Sequence, residues 1–131
     1  MKAEEVMIGD WVFLRDGSQR MVKVSKIMPP YIEAEGVDGQ IHESMLGSIW
    51  IVAERLLANG FVKKGVVRYG IYGDGYELEL REFMDGCWYC EHRTNEFNLP
   101  DECKFVGFIH ELQQFMRTIH IDKEIILPLN K

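Results

Sequence analysis

The side chains best suited to chemistry lie in the second half of this 131-residue chain. His110-Glu111 matches the opening of the zinc-protease pattern H-E-x-x-H, in which two imidazoles one helical turn apart reach a single metal ion. Position 114 is Gln, and an amide is a poor zinc ligand. His120 falls roughly 80° around a helix and about 15 Å along it, too far to share a metal with His110. The pattern therefore fails as a protease signature. It leaves His110 as a polar-face histidine bonded to Gln114 or to a neighbouring loop.

Cys87-Trp88-Tyr89-Cys90-Glu91-His92, with Cys103 downstream, offers a second constellation, C-x-x-C-x-H…C. Four soft ligands of this kind suit structural zinc. A zinc knuckle wraps its cysteines around a turn, however, and residues 87–92 read as a strand. Alternation puts Cys87 with Tyr89 on one face and Cys90 with His92 on the other. Cys87, Cys90, His92 and Cys103 are thus weak metal candidates, and no cofactor is expected. No CxxC opens a helix as redox chemistry would require.

There is no phosphate-binding G-x-x-x-x-G-K-S/T and no G-x-S-x-G elbow. Glu77/Glu79 and Glu33/Glu35 read as solvated strand faces. Gly70, Gly73 and Gly75 among Tyr69, Tyr72 and Tyr76 read as the makings of a tight turn. No catalytic residue is assigned, and the expectation is a protein that is not an enzyme. Aromatic side chains give a better lead. Trp11, Phe13, Tyr31 and Trp50 crowd a short β-rich region, and small β-domains bind peptides through such patches or through open edges. The competing reading is that they pack against the second half of the chain.

The elements that would position these residues follow from local pattern. Trp11 to Arg15, Arg20 to Met28, Tyr31 to Glu35, Gln40 to Glu43 and Gly47 to Val52 read as five short strands. They are punctuated by Asp16-Gly17-Ser18, Pro29-Pro30 and Asp38-Gly39. Ala53 to Asn59 changes to a helical period and stops at Asn59-Gly60, with Phe61 folding back over it. Val66 to Tyr72, Tyr76 to Phe83 and Cys87 to Thr94 read as a β-meander, with Asn95 to Leu99 a further strand. In Phe105 to Ile119, apolar residues recur at i, i+3, i+4 and i+7, which predicts a long amphipathic helix covering the dry face of that meander. Ile125 to Leu129 is an apolar tail expected to dock on a sheet edge, of this chain or of another subunit.

The predicted architecture is α+β: an SH3-like small β-barrel over residues 1–52, then a helix–antiparallel β-meander–helix unit over 53–131, the two sharing one core. The net charge of −6 is spread over both halves. It gives no basic excess for nucleic acid and no run for anionic membranes, so neither is an expected partner. No stretch approaches the ~20 apolar residues of a membrane span. The three cysteines cannot all pair with one another, and the N-terminus lacks the h-region of an export signal, so a cytoplasmic location is expected.

Ile8-Gly9-Asp10-Trp11-Val12, the short helix ending in Asn59-Gly60-Phe61, and Ile109-His110-Glu111-Leu112-Gln113 together resemble a family of small uncharacterised proteins of gut anaerobic bacteria and their phages and mobile elements. In that family the start reads I-G-(D/N)-x-V and the late helix V-H-(E/Q)-L-Q. The chain departs from it where relatives carry a Pro-rich P-I-P-L run, since Ser48-Ile49-Trp50-Ile51-Val52 stands there instead. The resemblance implies no activity. It singles out His110 and Gln113, off the apolar stripe, as candidate binding residues beside Trp11, Tyr31 and Trp50. The function expected is a phage-related interaction protein that binds a protein partner or itself, a dimer being one form. The alternative is a small metal-binding or nucleic-acid-associated protein using His110 and nearby cysteines.

Overall fold

The computed structural model describes residues 1–73, 75–84, 86–94 and 102–127. Over these residues the protein is α+β, mostly antiparallel strands with two α-helices. It divides into two compact units. One comprises Met1–Ile49 with the tail residues Ile126 and Leu127, and the other comprises Trp50–Ile125.

The first unit begins with a 3-10 turn, Ala3–Glu5, held by Glu43, whose Oε1 accepts from the Ala3 amide at 2.9 Å. That hydrogen bond, aided by the Lys2 charge, holds the Glu43 carboxyl below its usual range. Gly9, at φ +94°, lets the chain turn back so that Asp10, fully buried, accepts from the Met7 amide at 2.9 Å. Strands follow at β1 (Trp11–Leu14), β2 (Met21–Met28), β3 (Tyr31–Ala34), β4 (Ile41–His42) and β5 (Leu46–Gly47). They form one antiparallel sheet in the order β4-β3-β2-β1-β5. The sheet is open, with β4 and β5 as its edges.

A register shift between Val24 and Lys26 interrupts β2. Before it Val22 and Val24 point into the core. After it Ile27 lies opposite the buried Ile32, so the extra residue re-aims the strand. Val12, Leu14, Val22, Val24, Ile32 and Leu46 are at the centre of this unit's core.

The second unit opens with α1 (Ala53–Ala58). The Phe61 amide donates to the Leu56 carbonyl at 3.1 Å and the Gly60 amide to that of Leu57 at 3.2 Å, with Gly60 at φ +88°. This is a complete Schellman stop, and it buries Phe61 as the sequence leads one to expect. Strands β6 (Val62–Lys63), β7 (Arg68–Gly73), β8 (Tyr76–Met84), β9 (Cys87–Arg93) and β10 (Glu102–Val106) make an antiparallel sheet in the order β10-β9-β8-β7-β6. Tyr69, Leu78, Leu80, Trp88, Cys90 and Val106 share its dry face and are all buried.

The other face is not the solvated surface predicted for Glu77/Glu79. Glu79 is only 2% exposed, at the centre of an ion-pair cluster with Arg68, Lys64 and Arg93. Lys64 also holds Glu77, and Arg93 holds Glu91. Burial alone would raise the Glu79 carboxyl, but the Arg68 hydrogen bond and the three cations outweigh it and hold the group below its usual range.

The late helix, α2, runs over Ile109–Thr118 and not from Phe105. Phe105 lies on β10 opposite Tyr89 and is 54% exposed. Gly107 breaks the run. A Cβ there would stand 2.8 Å from the Gly86 carbonyl, so strand and helix join where only glycine fits. The α2 stripe Ile109, Leu112, Phe115, Met116 and Ile119 is buried, and the helix meets the sheet along β10. The expected strand over Gly47 to Val52 is reduced to β5 and a single bridge between Trp50 and Phe108. The predicted strand Asn95 to Leu99, and Pro128-Leu129 of the apolar tail, lie outside the described residues. Within the tail Ile125 and Leu127 are buried and Ile126 is exposed.

Candidate functional site

A cleft of about 580 Å³ opens in the second unit, lined by Trp50, Ile51, Val52, Ala53, Glu54, Glu82, Gly86 and Trp88. Its volume is in the range of small-ligand and side-chain pockets. The segment entering α1 supplies one wall. The Ile51 amide donates to the Gly107 carbonyl at 3.0 Å, the Trp88 indole to the Ile51 carbonyl at 3.1 Å, and the Arg55 guanidinium to the Trp50 carbonyl at 3.0 Å. Three separate hydrogen bonds thus fix the backbone on which Trp50 is carried.

The Trp50 ring leans on Phe108, with centroids 4.6 Å apart. It also passes close over the turn between β8 and β9. A Cβ on Gly86 would come within 2.8 Å of the indole, and Gly86 sits at φ +75°. Despite these contacts the residue stays 53% exposed. Trp88, on the dry face of the sheet, forms an apolar wall. The two charged lining residues are both carboxylates, Glu54 at the start of α1 and Glu82 on β8, and both are exposed. Neither side chain has an ion-pair partner among the described residues.

The other predicted site residues lie elsewhere. Trp11 is 7% exposed and belongs to the packed interior, so it offers no patch. Phe13 is half-buried on β1. Tyr31 is exposed in the first unit, edge-on to His42 at 5.2 Å, and is not among the residues that line the Trp50 cleft.

His110 is 6% exposed, not on a polar face, and its ring stacks on Phe108 with planes 9° apart. Gln113 is equally buried. Both belong to the buried girdle of α2, whereas Glu111, Gln114, Arg117 and Thr118 form its wetter side. Neither lines the Trp50 cleft.

As the strand pattern predicts, Cys90 and His92 point to the dry face and Cys87 and Tyr89 to the opposite one, and Cys103 pairs with Glu91 on that opposite face. Burial pushes the Cys90 thiol far above the usual thiol range. His92 Nδ1 comes within 3.5 Å of Glu102 without hydrogen-bond geometry. Among the described residues no three His, Cys, Asp or Glu side chains are gathered as a metal would require.

Glu54, Glu82, Gly86 and Trp88 escape sequence reasoning because they come from α1, β8, the following turn and β9. Only the register of the strands assembles them. The one local signal is a tryptophan three positions before the helix. Compared with known proteins, the chain matches no family model, no curated protein and no solved structure. Among the described residues no helix is long and apolar enough to cross a membrane.

Proposed function

We propose that this protein is a non-enzymatic interaction module that seats a side chain of a protein partner in the Trp50 cleft. The observation that carries this reading is the half-open tryptophan, carried on backbone that three hydrogen bonds hold at Trp50 and Ile51. Rigid, partly exposed aromatic anchors beside apolar walls are what binding hot spots are made of. The first unit acts as an SH3-like scaffold. Its strand order and the bend in β2 favour that reading. A cytoplasmic role tied to a phage or mobile element accords with the short I-G-D-W-V and I-H-E-L-Q patterns.

The test is selection from a random peptide display library with the wild-type protein and with Trp50→Ala. Peptides retained by the wild type and lost by the variant support the reading. A library that yields no peptide dependent on Trp50 ends it.

A further inference from the structure

We infer that the occupant of the Trp50 cleft is a positively charged side chain, lysine or arginine, presented by the partner protein. This rests on the proposed function and adds the chemistry of what is recognised. Three features on the cleft wall converge. An indole is the best of the aromatic faces for a cation, and Trp50 keeps about half its surface open. The charged lining groups, Glu54 and Glu82, are both acidic. Neither is neutralised within the described residues, whereas Glu77, Glu79 and Glu91 of the same unit each hold a lysine or arginine. The remaining walls, Ile51, Val52, Ala53 and Trp88, are apolar. A long aliphatic stem can lie against them while its charged head reaches the carboxylates. A net charge of −6 adds a weak general attraction for a basic partner.

The experiment is a titration of the intact protein with N-acetyl-arginine amide, N-acetyl-lysine amide and N-acetyl-norleucine amide, followed by the indole N–H resonances in a two-dimensional nitrogen–proton spectrum. Trp50→Phe assigns the Trp50 signal. Saturable shifts of that signal by the two basic amides, and none by the norleucine amide, are expected. The double variant Glu54→Gln/Glu82→Gln, which alters exposed groups and leaves packing untouched, should weaken the basic amides about fivefold or more. Equal binding of the norleucine amide, unchanged affinity in the double variant, or no shift with either basic amide overturns the inference. If the peptide selection meanwhile yields Trp50-dependent peptides without a shared basic residue, the interaction reading stands and the charge assignment alone falls. If it yields no such peptides, the reading itself fails.

Discussion

Glu111 reaches back along its own helix to accept from the Gly107 amide at 2.8 Å, and the same oxygen takes the Phe108 amide at 3.1 Å. It therefore satisfies two backbone donors at the point where β10 gives way to α2. This accounts for the glutamate of His110-Glu111 without any catalytic role. Replacing Glu111 by Ala is expected to cost about 1 kcal/mol, in the range of lost helix caps, and Glu111→Gln appreciably less. Urea unfolding of the three proteins checks it, and an Ala variant as stable as wild type would refute the capping assignment.

Glu79 makes a pH prediction whose sign follows from its depressed carboxyl. Such a group contributes stability that is fully present above its unfolded value, near 4.5, and is lost as pH falls through the lower folded value. Stability should therefore decline below about pH 4.5. Glu79→Gln should flatten that part of the acid limb while lowering stability at pH 7, because three cations lose their shared partner. Thermal unfolding of both proteins between pH 7 and pH 3 gives the comparison. Parallel curves would show that Glu79 is not a source of the pH dependence.

Gly86 bears directly on the cleft. Ala at this position would meet both a positive φ and the Trp50 ring. A loss of about 1–2 kcal/mol is expected, with a shift in tryptophan fluorescence as the indole is displaced. Unchanged emission would mean the turn does not support the ring.

Asp10 presents a fully buried carboxylate that closes the Met7–Asp10 turn. Asp10→Ala should cost about 1 kcal/mol by removing the acceptor of the Met7 amide, and Asp10→Asn less, since its side-chain oxygen still accepts. Chemical denaturation distinguishes the two. Equal losses would show that charge, not the hydrogen bond, matters there.

The thiols should separate by reactivity. Cys103 is exposed and should be alkylated readily in the native protein. Cys90 is buried with its thiol pushed upward, and it should react only after unfolding. Mass mapping of iodoacetamide adducts under native and denaturing conditions tests both, and rapid native labelling of Cys90 would contradict the packing of β9.

Much of the backbone was legible because its signals are local. The Asn59-Gly60 stop, the meander and the opposed faces of Cys87 and Cys90 follow from turn chemistry and period-two alternation. The start of α2 was not legible. Phe105 and Phe108 satisfy a helical spacing, yet residues 102–106 pair with β9, whose residues are ten or more positions away in the chain. Burial was the least readable property. Trp11 and Trp50 look alike in sequence, and only tertiary packing sends one inward and leaves the other out. Glu79 shows the same limit, since its alternation marks a face but cannot reveal that Arg68, Lys64 and Arg93 close over it.

The grouping of Ile126 and Leu127 with Met1–Ile49 carries a consequence for biosynthesis. The first unit draws on segments synthesised before and after the whole of the second. A nascent chain halted anywhere before Leu127 therefore lacks a piece of the unit it made first.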